Sequence, residues 1–173
     1  DMNFQANSSV VSENMNSGIT FFINQRTRTT YDHNSDNFSE IPYLQNKTFG
    51  INLFYKISEL QQIKIHTGNI YEYRYGGEMI DQPPHLNMQS EERIQNILFG
   101  DINYQIDFNN NSNFISYLAI QQTKREHYTG IRPEIGSLND LIFLSNPPYG
   151  KSNNSTMQSG IQLNHEMDYI FGS

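Results

Sequence analysis

The sequence predicts an all-β fold of about seven antiparallel, up-and-down transmembrane strands that form part of a larger β-barrel. Residues in the candidate strands alternate between apolar and polar, which gives each strand one face of each kind. The connections alternate between short and long. Transmembrane barrels show this asymmetry, with short turns on one side of the membrane and long loops on the other.

The candidate strands are spread along the whole chain, and helical periodicity is almost absent. The first, residues 4–11, has a poor pattern, whereas the later runs alternate clearly. Several runs approach the roughly 9–11 residues that a strand needs to cross a bilayer. The other predicted strands cover residues 19–28, 49–58, 63–75, 98–107, 114–125 and 161–171.

The connections complete the predicted organisation as one partial barrel domain, residues 1–173. Loops beyond about 12–15 residues are uncommon in compact domains, yet here every second connection is long. Short turns are predicted at 13–18, 58–61 and 108–112, and long outer loops at about 31–47, 76–95 and 128–157.

Composition agrees with strands that have only one apolar face. Only 36% of residues are hydrophobic and the mean hydropathy is −0.65, so a thick apolar core is not expected. The aromatic residues are 11 Tyr and 11 Phe, which suit a pleated, half-buried surface. The net charge of −7 and the lack of a basic stripe argue against nucleic acid as a partner. The absence of cysteine excludes disulfides, thiolate metal sites and a cysteine nucleophile.

Two other folds are compatible with the alternation. A soluble β-sandwich, acting as a binding or adhesion module, also buries one face per strand. Its strands are usually shorter, about 5–6 residues, and its loops need not alternate in length. The other alternative is a small, complete barrel of about eight strands with a structural role. Tyr71, Tyr73 and Tyr75 cluster where a strand meets a long loop, which favours a membrane barrel with aromatic girdles.

Particular segments resemble TonB-dependent receptors of the bacterial outer membrane. They are residues 32–44 leading into Lys47-Thr48-Phe49-Gly50, and Tyr73-Arg74-Tyr75-Gly76-Gly77 followed by Gln82-Pro83-Pro84-His85. In the branch similar to siderophore and haem receptors, a Gly-Gly loop leads to a Pro-Pro-His stretch. A polar, helix-like patch and a strand resembling residues 97–107 follow. The similarity spans about residues 19–171.

This resemblance implies a 22-stranded barrel with an amino-terminal plug, which takes up a chelated metal, haem or a similar small solute. The implied partners are outer-membrane lipid, the remainder of the barrel and plug, a small-molecule ligand and, indirectly, the TonB system. The chain departs from the family pattern, since it has about seven strands and lacks a plug-like segment, a TonB box and a terminal aromatic residue. We therefore expect an internal portion of a receptor.

The first long loop contains a candidate calcium site. Asp32, Asn34 and Asp36 place oxygen ligands at alternate positions, and Glu40 follows four residues later. Calcium takes six to eight oxygen ligands, and this spacing lets a tight loop direct them inward. The alternative is an ordinary polar turn. No other cofactor is expected.

Candidate ligand-binding residues lie in or beside the long loops. His33, His85 and His127 place one imidazole in each loop, as haem or metal capture would need; the alternative is three exposed loop histidines. His85 is expected on a stiff extended segment because it follows Pro83-Pro84. Arginine matches carboxylates geometrically, so basic residues near the outer strand ends suit an anionic ligand. They could equally contact lipid head groups or pair with Glu72 and Glu126. These basic residues are Arg74 and Arg125, together with Arg26, Arg28 and Lys124.

Catalysis is not expected. The sequence has neither a Gly-x-Ser-x-Gly elbow nor a His-Glu-x-x-His helix. Glu91-Glu92 is interpreted as the exposed part of a short helix rather than a catalytic pair.

Overall fold

The computed structural model describes residues 1–109 and 112–165, which form one antiparallel sheet of seven strands. The strands lie in the sheet in the order of the chain, so each pairs with the next. The predicted all-β, up-and-down arrangement is confirmed. The strands are β1 (Met2–Val11), β2 (Ser17–Arg28), β3 (Tyr43–Ser58), β4 (Gln61–Gly77), β5 (Gln89–Asn109), β6 (Ser112–Ile131) and β7 (Tyr149–His165).

Several strands extend further toward the long loops than the sequence predicted. The long connections are residues 29–42, 78–88 and 132–148. The predicted boundaries 76–95 and 128–157 were therefore too wide, and the first loop begins two residues before and ends five residues before the predicted 31–47. The end of the last predicted strand, residues 166–171, and residues 110–111 of a predicted turn lie outside the described residues. The extra strand segments have polar residues on both faces, which hides the alternation although their backbones pair with neighbouring strands.

Two short helical elements interrupt the long connections, and the sequence predicted neither. A 3₁₀ turn spans Pro84–Leu86, and helix α1 spans Leu138–Ser145 with Ser137 as its N-cap. The helix expected at Glu91-Glu92 was wrong, since both residues belong to β5 and pair with Thr129 and Tyr128. Within residues 1–109 and 112–165, no helix has the length and apolar character that crossing a membrane requires.

The strand register places most of the aliphatic side chains on one face of the sheet. Directly opposed residues share a face, so the alternation can be followed from strand to strand. We call this side the apolar face and the other the polar face. The apolar face carries Val10, Ile19, Phe21, Ile23, Phe49, Ile51, Leu53, Tyr55, Ile63, Ile65, Leu98, Ile102, Leu118, Ile120, Met157, Ile161 and Leu163.

Most of the apolar face is uncovered. Ile161 is 77% exposed, Met157 71% and Ile120 58%, although all three are strand residues. Among the described residues, Tyr128 is the only buried hydrophobic side chain. The described chain is therefore a single layer without a core, and it does not form the second sheet that a sandwich requires.

Glycines on the polar face give room to aromatic rings from the neighbouring strand. A Cβ added to Gly50 would lie 2.1 Å from the Phe22 ring, and one added to Gly150 would lie 2.2 Å from His127. Each ring therefore lies across the strand opposite, and it covers backbone that glycine leaves bare. The directly opposed pairs are Phe22 with Gly50, Phe54 with Gly18, Phe99 with Gly68, Tyr117 with Gly160 and His127 with Gly150.

Candidate functional site

The long connections and the strand ends that carry them form what we call the loop end of the sheet. The first connection, residues 29–42, is closed by the bridge between Tyr31 and Ile41. It is joined to the second by a bridge between Phe38 and Glu78. The Gly77 amide also donates to Ser39 Oγ at 2.9 Å. The first two connections therefore fold together at this end.

The second connection, residues 78–88, is fixed by hydrogen bonds to the ends of β4 and β5. The Tyr75 hydroxyl donates to the Glu78 carbonyl at 2.7 Å, and the fully buried Asn87 side chain donates to that hydroxyl. The Ser90 hydroxyl donates to the Pro84 carbonyl at 2.7 Å. These bonds satisfy buried polar groups and hold the 3₁₀ turn against the sheet.

Tyrosines gather on the apolar face at the loop end. Strand pairing places Tyr43 opposite Tyr75, and Tyr128 opposite Tyr149. The rings of Tyr128 and Tyr149 are 5.0 Å apart, and Tyr128 is fully buried. Its hydroxyl has no hydrogen-bond partner among residues 1–109 and 112–165. The apolar side chains thus give way to a tyrosine cluster that the loops partly cover.

The third connection, residues 132–148, is held by an ion pair. Arg132 donates from Nε and Nη2 to the two carboxylate oxygens of Asp140 at 2.7 and 3.0 Å, and Asp140 is only 2% exposed. Arg132 also donates to the Leu86 carbonyl at 2.9 Å, which joins this connection to the second. Hydrogen bonds from the Arg132 guanidinium, helped by the Gly136 amide, hold the pKa of Asp140 below its usual range.

The polar face at the loop end carries a row of basic side chains. Directly opposed positions run from Arg28 through Leu44 to Arg74, then to Arg93 and His127. Arg26 and Arg125 lie on the same face, each two positions further from the loops along its strand. Five of the six arginines of a chain with net charge −7 therefore lie in one region. We call it the arginine row; its members are Arg26, Arg28, Arg74, Arg93 and Arg125.

Acidic partners balance only part of this charge. Arg26 pairs with Asp1 at 3.1 Å and Arg93 with Glu91 at 3.3 Å. Arg28 donates instead to the Pro42 carbonyl at 3.2 Å, and Arg125 to the Gln95 side chain, also at 3.2 Å. Within the described ranges, Arg28, Arg74 and Arg125 have no carboxylate at ion-pairing distance.

A cavity of about 470 Å³ opens beside the arginine row. Arg74 and Glu91 supply its charged groups, and Ser39 and Thr129 supply hydroxyls. Two glycines on β4 and Gly130 on β6 expose backbone to it. This volume falls within the range of small-molecule sites, which use a few placed polar groups to orient a ligand.

The structure places the three predicted histidines in different local surroundings. In the first connection, His33 Nδ1 and the Tyr31 hydroxyl form a hydrogen bond of 3.1 Å. His85 lies in the 3₁₀ turn, not in an extended segment as expected, and its Nδ1 is 2.9 Å from the Tyr149 hydroxyl. His127 belongs to β6 rather than a loop and lies on the polar face. Because Tyr149 is on the apolar face, His85 and His127 lie on opposite sides of the sheet.

The acidic loop uses its carboxylates to organise its own backbone. Asp32 accepts from the amides of Ser35 and Asn37 at 2.7 and 2.9 Å, and Glu40 accepts from the His33 amide at 2.7 Å. Asn34 donates to Asp36 at 3.0 Å. Ser35 and Asn37 have φ of 61° and 67°, the left-handed conformation that such a turn requires.

The part of the chain that the structure describes holds no group of three or more His, Cys, Asp or Glu residues suited to a metal. The calcium site at Asp32, Asn34, Asp36 and Glu40 therefore stays a prediction.

Sequence reasoning found Arg74 and Arg125 but missed Arg93. Arg93 lies inside the segment interpreted as a loop and a short helix, so its register with Arg74 was hidden. Continuing the alternation of β5 backwards from Gln95 would have placed Arg93 on the same face. Lys124, which the sequence grouped with the arginines, lies on the apolar face.

The chain matches no protein-family model, and searches of the curated proteins and of the solved structures found no match.

Proposed function

We propose that this chain forms part of the wall of an outer-membrane β-barrel receptor, similar to the TonB-dependent receptors, that takes up a chelated metal, haem or a similar small solute. The observation that carries the proposal is the single-layered sheet with an uncovered apolar face and a polar face opposite. An exposed apolar surface of this extent marks contact with a membrane or with another protein.

The dimensions of the apolar band support contact with lipid. On β4 the apolar face runs from Ile63 near a short turn to Tyr71 at the start of the tyrosine cluster. These residues are eight positions apart, which is about 26 Å along a strand at about 3.3 Å per residue. Strand tilt of about 40° reduces the height to about 20 Å, which approaches the apolar band of about 25 Å in outer-membrane barrels.

The position of the tyrosines supports the same orientation. Tyr43, Tyr71, Tyr73, Tyr75 and Tyr149 border the band on the side of the long loops. Tyrosine suits the level of the lipid head groups because its ring is apolar and its hydroxyl is polar. The long connections would then lie outside the cell, and the polar face with its cavity would line the lumen.

An open sheet within lipid leaves its outer backbone groups without partners, so the proposal requires further strands to pair with the edges of β1 and β7. Such strands would complete a barrel in which this chain supplies one sector. A soluble adhesion module would instead need a second layer over the apolar face, and the described residues provide one sheet only.

The proposal predicts that the chain needs detergent or lipid to stay folded and unaggregated. Light scattering and circular dichroism would be measured on the purified chain in buffer, in micelles and in liposomes. We expect aggregation in buffer and a β spectrum in micelles and liposomes. A stable monomer with a β spectrum in buffer would refute the wall assignment, because its apolar face would then have to be covered by the chain itself.

A further inference from the structure

We infer that the arginine row binds a small polyanion, a solute with two or more carboxylate or phosphate groups, between Arg28, Arg74 and Arg93. The inference rests on the proposed function, since it names the class of solute that the same face would receive. It is carried by the register, the charge balance and the cavity.

The register sets like charges directly against one another. Arg74 opposes Arg93, and neighbouring strands are about 4.8 Å apart, so two guanidinium groups leave adjacent strands at one level. Like charges that are directly opposed destabilise a sheet. An anion between them removes this cost and gains two charge-assisted hydrogen-bonding partners. Arg28 stands two strands from Arg74, about 10 Å away, and supplies a third donor at a distance that suits a branched polyanion.

The available acidic groups do not neutralise the row. Glu91 reaches Arg93 at 3.3 Å, but both side chains are nearly half exposed, so this pair is weak and exchangeable. Glu72 lies on the same face, two residues from Arg74 along β4, and has no ion pair among the described residues. Counting the strands of this face at the loop end, with Asp1 just before β1, five arginines stand against three carboxylates, those of Asp1, Glu72 and Glu91.

The cavity gives the anion a bounded place with neutral donors. Arg74 is the member of the row that lines the cavity, and Thr129 and Ser39 line it with their hydroxyls. Glu91, which pairs with Arg93, lines it too. Arginine is the suited cation here because its planar fork binds carboxylate and phosphate oxygens in pairs, which an ammonium group does not.

A soluble anion fits this face better than a lipid head group does. Head groups approach from the apolar face, and at the loop end that face carries Lys47, Lys124 and Lys151 rather than arginine. The arginine row lies on the opposite side of the sheet. The phosphates of lipid and of a free solute share the same chemistry, so the experiment includes both.

The test measures citrate binding by isothermal titration calorimetry to the full chain in uncharged detergent micelles, with glucose as the neutral probe. The variants are Arg74→Gln and Arg93→Gln. Lys56→Gln is a matched control on the same face at the far end of the sheet, and Lys124→Gln is one on the apolar face, next to Arg125 in the chain. Circular dichroism establishes that each variant keeps the β spectrum.

We expect citrate to bind and glucose not to bind. Each arginine variant should weaken citrate binding by about tenfold or more, since a charge-assisted hydrogen bond is lost. The lysine controls should stay within about twofold, and raising the salt concentration should weaken binding. The inference is overturned if citrate does not bind the folded chain, or if Lys56→Gln weakens binding as much as Arg74→Gln does.

Vesicles of phosphatidylglycerol distinguish the two sources of anion. If Arg74→Gln reduces vesicle binding and citrate binds no better than glucose, the row is a head-group site and the inference fails.

The inference and the proposed function can fail independently of each other. A chain that folds in micelles but does not bind citrate overturns the inference alone. A soluble monomer that binds citrate through Arg74 overturns the wall assignment alone.

Discussion

The apolar face is covered to different extents at the two ends of the sheet. Toward the short turns, side chains such as Ile161 and Leu163 project from the sheet at 77% and 70% exposure. Toward the long loops, the same face carries tyrosines, and the second connection packs so closely that Tyr128 and Asn87 are fully buried. Within residues 1–109 and 112–165, the chain therefore covers its own apolar face at the loop end and leaves it open toward the short turns.

This difference shows where each half obtains its stability. At the loop end, hydrogen bonds and the Arg132–Asp140 ion pair lie within the chain and persist in any solvent that preserves the sheet. At the turn end, burial of the apolar band depends on what surrounds it, because area removed from water is what stabilises apolar side chains. The following predictions test the contrast, from the largest expected effect to the smallest.

Introducing a charge into the band should have the largest effect. Ile120 lies at the middle of the apolar band, so Ile120→Arg should make folding into liposomes less favourable by about 2–4 kcal/mol. Gln121→Arg is the control, since the next residue is also exposed but lies on the polar face. Folding is measured by urea titration followed by circular dichroism, because the chain has no tryptophan to serve as a fluorescent probe. Equal losses in the two variants would refute the distinction between the faces.

Gly77 should be the most sensitive glycine of the loop end. Its φ is +107°, and an added Cβ would lie 2.4 Å from the Gln89 carbonyl oxygen. Gly77→Ala should therefore lower the free energy of unfolding in micelles by about 1–3 kcal/mol. Gly76→Ala is the matched control, because its Cβ would lie 3.1 Å from Pro42 Cβ and its φ is not positive. A larger loss in the control would contradict the account of this turn.

Removing the Tyr128 hydroxyl should cost little. The hydroxyl is buried without a partner among the described residues, so Tyr128→Phe should leave the free energy of unfolding within about 1 kcal/mol of wild type or raise it. Tyr75→Phe should be the more damaging change, since the Tyr75 hydroxyl bonds to Glu78 and Asn87. Thermal unfolding in micelles measures both, and the reverse order would show that Tyr128 has a partner.

The smallest effect should come from acid on the third connection. The pKa of Asp140 is lowered in the folded chain, so its ionisation stabilises the fold above the usual carboxyl pKa of about 3.9. This contribution is lost as the pH falls through the lowered pKa. The Gly136 amide donates to Asp140, so its protection factor against hydrogen exchange should fall only below about pH 4. In Asp140→Asn the protection factor of the Gly136 amide should already be low at neutral pH. A protection factor equal to that of wild type would contradict the role of this pair.

The sequence predicted the strands better than their ends. Seven strands and the composition of their faces could be predicted because apolar and polar residues alternate through the band. Near the loops both faces are polar, as in Gln89-Ser90-Glu91-Glu92-Arg93, so the alternation carries no signal. Backbone pairing with β4 and β6 decides the structure there, and a single sequence does not display those partners.

The candidate site was partly predictable for the same reason. Arg74 was identified because it lies in a clearly alternating strand, whereas Arg93 was hidden in a segment without alternation. His85 was expected on an extended segment because of Pro83-Pro84, but Pro84 begins a 3₁₀ turn, where its missing N–H costs nothing. The separation of His85 from His127 depends on which face each strand presents, and local sequence does not fix this.

The central claim, that the apolar face meets lipid while the polar face meets water, is tested most directly by site-directed spin labelling along β6. The chain has no cysteine, so single cysteines at positions 117–121 can be labelled one at a time in liposomes. We predict high oxygen accessibility at 118 and 120, and high accessibility to a water-soluble nickel reagent at 117, 119 and 121. Low accessibility to oxygen at 118 and 120 would contradict the claim, because protein rather than lipid would then cover that face.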